Sequence, residues 1–401
     1  MADIIIDIIN SIFALSGIYF TVLFIFLFFH HEKKFFKTPR MEKFPSISII
    51  IPAFNEQSTI ASTIKAVKAM TYPKRKEIIV VDDGSKDNTF QIAKKIKGIK
   101  VFTKKNNGKA SALNFGLKKA TGEIVVCVDS DSYPEKNALL KTVPFFQKDV
   151  AAVTSTVLIK DAKKMIEKLQ DLEYTIIAWS RKIMEYLECI YVTPGPMSLY
   201  KRKILLDLGG FDEKNITEDI EIAWRLLKNK YKIKMALDAK VYTHAPKNLS
   251  IWWHQRIRWN IGGMQTFLKY IDLFFSKDIR NMGMLLLPLF SISYVLNFVG
   301  FGLTGYIISK GLQYLAGAYM FGFNPFNISL SIIPDMFFFL AFFSFSLAML
   351  LIKLNFDTMK KVGIVPVKVL DFLVYLFIYI LLSPLNLLDS TIRFLTGKYR
   401  W

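Results

Sequence analysis

The sequence is short of cysteine, histidine and acid. Cys127 and Cys189 are its only cysteines, too few for a disulfide framework and without metal-ligand spacing. Both read as isolated small core residues, and neither requires an oxidising compartment. The four histidines form no metal-binding pattern, and no grouping of serine, cysteine or histidine supports a covalent nucleophile. His244, in Thr-His-Ala-Pro, reads as structural, with lining the site as its alternative. Asp and Glu total 33 against 53 Lys and Arg, a formal net charge of +20. Lysine outnumbers arginine and is scattered rather than striped. That favours a generally basic surface beside anionic lipid over a duplex footprint, so no nucleic-acid partner is expected.

What abounds is apolar. The chain is 52% hydrophobic, and its 35 Phe gather towards both ends, which argues against a fully soluble protein. Residues 4–29 read IIIDIINSIFALSGIYFTVLFIFLFF, about 39 Å of helix and enough to span a bilayer. No basic segment precedes this run and no small-residue cleavage site comes after it, so a signal peptide fits poorly. Lys33, Lys34, Lys37, Arg40 and Lys43 come next, which predicts that the chain leaves this helix on the cytoplasmic side. Three further apolar segments lie at about 283–308, 331–352 and 368–388, and Lys353, Lys360 and Lys361 predict a cytoplasmic loop between the last two. A simple count then sends the C-terminus outside, yet the tail is basic. Residues 368–388 either span, or re-enter, or lie in the interface; Gly-rich 309–330 has room for a short membrane element. Between the soluble part and the first of these segments, residues 262–276 predict an interfacial helix with Met264, Phe267, Leu268, Ile271, Phe274 and Phe275 on one face.

Residues 45–250 alternate short apolar runs with polar helical stretches: SISIIIPAFNE, IASTIKAVKAM, EIIVVDDGS, NTFQIAKKIKG, then EIVVCVDSD. This is the rhythm of an α/β fold with a mostly parallel central sheet. Ligands of such sheets sit beyond the C-terminal strand ends, and the acidic clusters fall there. Asp82-Asp83-Gly84-Ser85 offers carboxylates to a base or ribose, although such acids also cap helices. Asp129 and Asp131 lie at i and i+2 in an extended segment, so their carboxylates face one way and suit Mg²⁺ or Mn²⁺ with a diphosphate. Glu218 and Asp219 precede a helix, where they either complement its dipole or supply a general base at Asp219. In Gln255-Arg256-Ile257-Arg258-Trp259, Arg258 suits a diphosphate, two positive groups offset leaving-group charge, and Trp259 offers a flat face to a sugar. A juxtamembrane basic-aromatic belt is the ordinary alternative, and Trp252, Trp253 and His254 fit it better. Together these groups suit single displacement at an anomeric carbon, with a nucleoside diphosphate leaving and inversion of configuration.

Pro52-Ala53-Phe54-Asn55-Glu56, Asp82-Asp83-Gly84-Ser85, Asp129-Ser130-Asp131, Thr217-Glu218-Asp219 and Gln255 to Trp259, in this order, resemble the processive family 2 glycosyltransferases: cellulose, chitin, hyaluronan and poly-N-acetylglucosamine synthases. The resemblance covers roughly residues 45–265 strongly and the membrane segments loosely. It implies that Asp83 contacts uridine, with Asp82 and Asp129 also on the donor side. Asp131 would ligate the metal, and Asp219 would be the catalytic base with Glu218 beside it. Lys109, in Asn107-Gly108-Lys109-Ala110, would point at the donor, and Gln255, Arg258 and Trp259 would bind diphosphate and acceptor. It further implies a UDP-sugar donor, most simply a hexosamine. It implies a growing β-linked glycan threaded through the membrane helices, surrounding lipid, and room for an accessory membrane subunit. Gly195-Pro196-Met197-Ser198 and residues 260–263 both point weakly to an N-acetylhexosamine. The expected divisions are a membrane helix over 1–30, a cytoplasmic catalytic domain over 31–260, an interfacial helix over 261–280 and about three membrane helices over 281–401. Two departures stand out. Many relatives have two helices before the catalytic domain, and the tail 395–401 only faintly resembles their gating segment. The runner-up is a single-transfer enzyme acting on a lipid or lipid-linked acceptor. A non-catalytic binder of nucleotide sugar would have no need of the intact acids.

Overall fold

The computed structural model describes residues 2–147, 149–279, 281–322, 336–364 and 369–399. Helix α1 (Ala2–Phe35) leads into strand β1 (Ile47–Ala53). Then come α2 (Ile60–Ala69), β2 (Lys76–Asp82), α3 (Thr89–Lys94), β3 (Lys100–Thr103), α4 (Lys109–Lys119) and β4 (Ile124–Cys127). The remainder of the domain is β5 (Tyr133–Pro134), α5 (Ala138–Thr142), β6 (Val150–Ile159), α6 (Met165–Tyr186), β7 (Ser198–Lys201), α7 (Arg202–Asp207), α8 (Glu218–Lys228), β8 (Lys232–Thr243) and α9 (Leu249–Lys269). Helices α10 (Leu287–Phe321), α11 (Met336–Lys361) and α12 (Val369–Thr396) complete the chain.

Among the described residues, eight strands form one sheet in the order β3-β2-β1-β4-β7-β6-β8-β5. β1, β2, β3 and β4 run parallel, as the alternation of apolar run and helix predicts. All seven β1 residues are buried, because the sheet is covered on both faces. Successive side chains divide between two cores. Ile49 and Ile51 pack with Ile60 and Ile64 of α2, whereas Ile50 lies in the core of Leu113, Trp179 and Trp224 from α4, α6 and α8. The sheet is more mixed towards β5. β7 runs antiparallel between β4 and β6, and β6 pairs in parallel with β8.

The Trp179 core extends to the membrane helices. Phe28 of α1 meets Trp179 at a ring-centroid distance of 5.8 Å, and Phe290 of α10 meets Trp224 at 5.2 Å. Among the described residues, four helical stretches are long and apolar enough to cross a membrane: Ala14–Phe35, Met282–Gly302, Phe342–Lys361 and Asp371–Thr396. The chain is a multi-pass membrane protein. Helices α1, α10 and α11 each have one end at the domain. Lys361, at the end of α11, pairs with Glu32 near the end of α1 at 3.6 Å. Helix α10 runs without interruption to Phe321, taking up the first half of the Gly-rich stretch; residues 323–335 lie outside the described residues.

Helix α12, which holds 369–388 of the segment 368–388, makes contacts with both α11 and α9. Near its start, Phe372 meets Phe356 of α11 at 6.0 Å, beside the loop whose Gly363 carbonyl accepts from Lys240 at 2.9 Å. Further on, Asn386 donates to the Trp253 carbonyl at 3.0 Å, and Trp253 Nε1 donates to Asp389 at 2.8 Å. The segment therefore lies along α9 and brings the tail back to the domain. The expected interfacial helix over 262–276 is corrected in the same region. One helix, capped by the Asn248 side chain on the Ile251 amide, runs from Leu249 and ends at Lys269. The chain breaks from helical geometry at Tyr270, whose hydroxyl donates to Glu221 at 2.8 Å. Phe267 and Phe274 therefore pack into the core, while Leu268, Ile271 and Phe275 face outward.

Candidate active site

The C-terminal ends of β1, β2 and β4 and the N-termini of α4 and α8 surround two adjoining cavities, of about 760 and 420 Å³. Lys109, Asp129, Asp131, Glu218 and Arg258 line both and so mark the seam between them. Asp83 lines the larger cavity alone; Asp219, Gln255 and Trp259 line only the smaller. Of the residues expected from sequence, Asp82 and Arg256 are brought to neither cavity. The Asp82 carboxylate accepts from Thr103 Oγ1 at 2.8 Å and the Ser85 amide at 3.3 Å, tying β2 to β3 beneath the turn.

In the larger cavity Asp83 is 3% exposed and accepts from the Gly108 amide at 2.8 Å and Lys104 Nζ at 2.7 Å. It thereby holds the 104–108 loop against the end of β2. Gly108, at φ +89°, turns the chain into α4 and delivers Lys109 to the seam. Lys109 Nζ lies 2.6 Å from Asp129 and 3.0 Å from Glu218. Burial opposes its charge, but Asp129, Glu218 and Asp219 override this and hold the ammonium above its ordinary range. Burial raises the Asp129 carboxyl, Lys109 opposes that, and Asp131 adds to the rise. Gly195 has no room for a Cβ, which would meet Asp129 and Lys109.

Asp129 and Asp131 both open on the seam, and hard carboxylate oxygens fit Mg²⁺ or Mn²⁺. Among the described residues no group of three or more His, Cys, Asp and Glu is arranged to hold an ion. Asp129 and Asp131 are therefore the carboxylates there that could hold a cation, and most of its coordination positions would fall to other oxygens.

In the smaller cavity, Asp219 sits in the first turn of α8. Enclosure raises its carboxyl, Glu218 adds to this, and Lys109 and Arg258 oppose it, leaving it at about 6. Its Oδ1 accepts the Ile220 amide at 3.0 Å, and its backbone carbonyl accepts from Thr193 Oγ1 at 2.9 Å. Gly262 of α9 packs against Thr217 where a Cβ would clash, so α9 lies directly over the start of α8. Gln255, Arg258 and Trp259 share one helical face at i, i+3 and i+4. Arg256 points elsewhere: it pairs with Glu173 through both terminal nitrogens and lies 4.5 Å from the Trp259 ring. The expectation that this motif supplies two cations to the leaving group is corrected accordingly, since Arg256 is taken by Glu173. Arg258 reaches the seam, and Arg256 supports the Trp259 platform together with Tyr174, whose ring is 6.4 Å away.

Sequence reasoning left several lining residues without a role. Glu56 faces the larger cavity, its carboxyl raised by burial and by Asp131 and Asp129 against a Thr59 hydrogen bond. Tyr174 and Arg181 come from α6, whose amphipathic spacing was the available signal. His244, read as structural, lines the smaller cavity and pairs with Tyr133 Oη at 3.0 Å. Tyr399, in the tail whose only sequence signal was a faint resemblance to a gating segment, lines the larger cavity.

Residues 48–209 match the family described as Glycosyl transferase family 2. Proteins named poly-beta-1,6-N-acetyl-D-glucosamine synthase from Staphylococcus aureus and Staphylococcus epidermidis are 33% and 34% identical over 264 residues. These matches cover 63% of this chain and 64% of each relative, less than two thirds of their length. The mannosyltransferase PcManGT from Pyrobaculum calidifontis, solved with GDP-Man and Mn²⁺, superposes over 98% of this chain and all of its own at TM-score 0.59 and 19% identity, a likeness of fold. The segment that matches glycosyl transferase family 2, residues 48–209, is the part of the chain that carries the first acids of its ordered motifs at the strand ends.

Proposed function

We propose that the protein is an inverting membrane glycosyltransferase that moves a sugar from a UDP-sugar to an acceptor hydroxyl in the smaller cavity. One observation carries the reading: the Asp219 carboxyl, raised to about 6, shares that cavity with the seam of Asp129, Asp131, Lys109 and Arg258. Asp219 takes the acceptor proton as the oxygen attacks the anomeric carbon. The bond to the diphosphate breaks, and UDP leaves with the electron pair. Arg258 and Lys109 stabilise the charge that develops on it. A Mg²⁺ or Mn²⁺ on Asp131, with Asp129 beside it, would neutralise diphosphate charge. Asp83 suits the nucleoside end, and Trp259 suits an acceptor ring. The single displacement leaves a β-linkage from an α-linked donor.

The product we favour is a β-linked polysaccharide extended from an N-acetylhexosamine donor and translocated by the same chain, with an accessory membrane subunit as a further partner. The two poly-N-acetylglucosamine synthases support the sugar class. Lys33, Lys34, Lys360 and Lys361 at the domain ends of α1 and α11 support a cytoplasmic domain. The second reading is single transfer to a lipid-linked acceptor. It is favoured by α12 lying along α9 and by the close approach of Gly17 in α1 to Ser344 in α11, an arrangement that leaves few helices to wall a channel. Purified protein incubated with separate radiolabelled UDP-sugars, with sizing of the product, decides between them. A ladder of long products supports polymerisation and a single added sugar supports the second reading. Absence of UDP release with every donor rejects both.

A further inference from the structure

Helix α6 turns Tyr174, Ile177 and Arg181 towards the smaller cavity at i, i+3 and i+7. Arg181 is 7% exposed, and its Nε is buried without a partner. No described residue makes a hydrogen bond or ion pair with its guanidinium. Its electrostatic neighbours are Tyr191, Asp219 and Tyr174. Other buried cations nearby are treated differently. Lys182, the next residue, has Glu185 and the Met235 carbonyl, each at 2.9 Å, and Arg256 has Glu173. A buried charge without a counter-ion is costly and persists where something else completes it. The planar fork of a guanidinium matches the two oxygens of a phosphate or carboxylate. Arg181 lines only the smaller cavity and Asp83 only the larger, so a diphosphate held at the seam with its nucleoside towards Asp83 leaves Arg181 vacant.

We propose that Arg181 forms an oxyanion subsite for the acceptor, binding a phosphate or carboxylate that the acceptor carries close to the hydroxyl Asp219 deprotonates. This rests on the smaller cavity being the acceptor side. The chemistry has two sources: the phosphate joining a sugar to a lipid, or the carboxylate of an acidic sugar. An acceptor made only of uncharged hexosamine near the reacting end does not complete the site.

The test uses the full chain in nanodiscs, saturated with UDP and Mn²⁺ so that the donor side is filled. Melting is monitored with methyl phosphate, methyl glucuronide and methyl glucoside. At least one anion raises the wild-type melting temperature, the neutral glucoside does not, and Arg181→Gln loses the response. Turnover is then compared on a polyprenyl-phosphate-linked sugar, a glucuronate-terminated oligosaccharide and a neutral oligosaccharide. In Arg181→Gln the kcat/KM ratio of the preferred anionic acceptor to the neutral one falls about tenfold or more, mainly through KM. Arg181→Lys keeps part of that preference. The anion that responds identifies the source. An anion response that survives in Arg181→Gln, or equal losses on charged and neutral acceptors, overturns the subsite. So does a lower melting temperature of unliganded Arg181→Gln, because neutralising an uncompensated charge does not itself destabilise the fold. Absence of UDP release by wild type rejects the transferase reading, and the melting arm still decides the subsite.

Discussion

In the larger cavity Asp83 already has partners, holding the 104–108 loop and Lys104, and at the seam Lys109 bridges Asp129 and Glu218. In the smaller cavity Arg181 stands without an ion pair, and Asp219 Oδ1 accepts only the amide of its neighbour. The first cavity is therefore kept in order by contacts that a donor must partly exchange for its own. The second leaves its charges for a ligand to complete. Binding on the first side should be tunable by substitution within the loop, whereas loss on the second should appear chiefly in turnover.

The largest effect that tests this contrast is metal removal. Chelation should take sugar transfer below detection, with Mg²⁺ or Mn²⁺ restoring it; transfer that persists after full removal takes Asp131 out of the metal role. Next comes Asp219→Asn. It should lower kcat by about a thousandfold, with donor affinity measured by calorimetry changing less than about twofold. Loss of donor binding would instead move Asp219 to the first cavity's machinery. pH gives a smaller, graded effect. Asp219 acts as a base only when ionised, so kcat/KM should fall about tenfold per unit below about pH 6 and level off above it. The stability effect has the opposite sign. The folded protein binds this proton more tightly than an ordinary aspartate at 3.8, so its contribution falls as pH rises from there to about 6. Asp219→Asn should accordingly melt above wild type at about pH 8. Asp83→Asn weakens the anchor of the 104–108 loop and should raise donor KM about tenfold, leaving acceptor KM nearly fixed. The smallest effect is expected at the support of the second cavity. Asn386→Ala removes hydrogen bonds to Trp253 and Asn260 and should cost about 1 kcal/mol in thermal unfolding, with a few-fold rise in acceptor KM.

The parallel half of the sheet was legible because each strand there is a short apolar run closed by acids, and each crossover has a helical period. That logic located Asp83, Asp129 and Asp131 at one edge. It misjudged Asp82, because two adjacent acids at a strand end point to different sides and only one can face the cavity. It also allotted two cations to the leaving group, since the motif does not reveal that Glu173, 83 residues away, takes Arg256. The tail was unreadable for a related reason. Hydropathy describes α12 as long enough to span, but side-chain pairing through Asn386 and Asp389 makes it lie on α9. Arg181 drew no attention in the sequence, since a missing partner leaves no trace there.

Strand β7 also constrains how the protein is made. Four residues, Ser198–Lys201, stand between β4 and β6 and pair with both. During synthesis β1 to β4 can assemble by near-neighbour pairing, but β4 must wait until residue 198, well beyond its own end at Cys127, before its second neighbour emerges. Until then the free edge of β4, directly beside Asp129, is open to pairing with other chains. A ribosome pausing between residues 160 and 198 would prolong that exposure. The rate of elongation through α6, rather than final stability, would then set how much nascent chain reaches the membrane correctly folded.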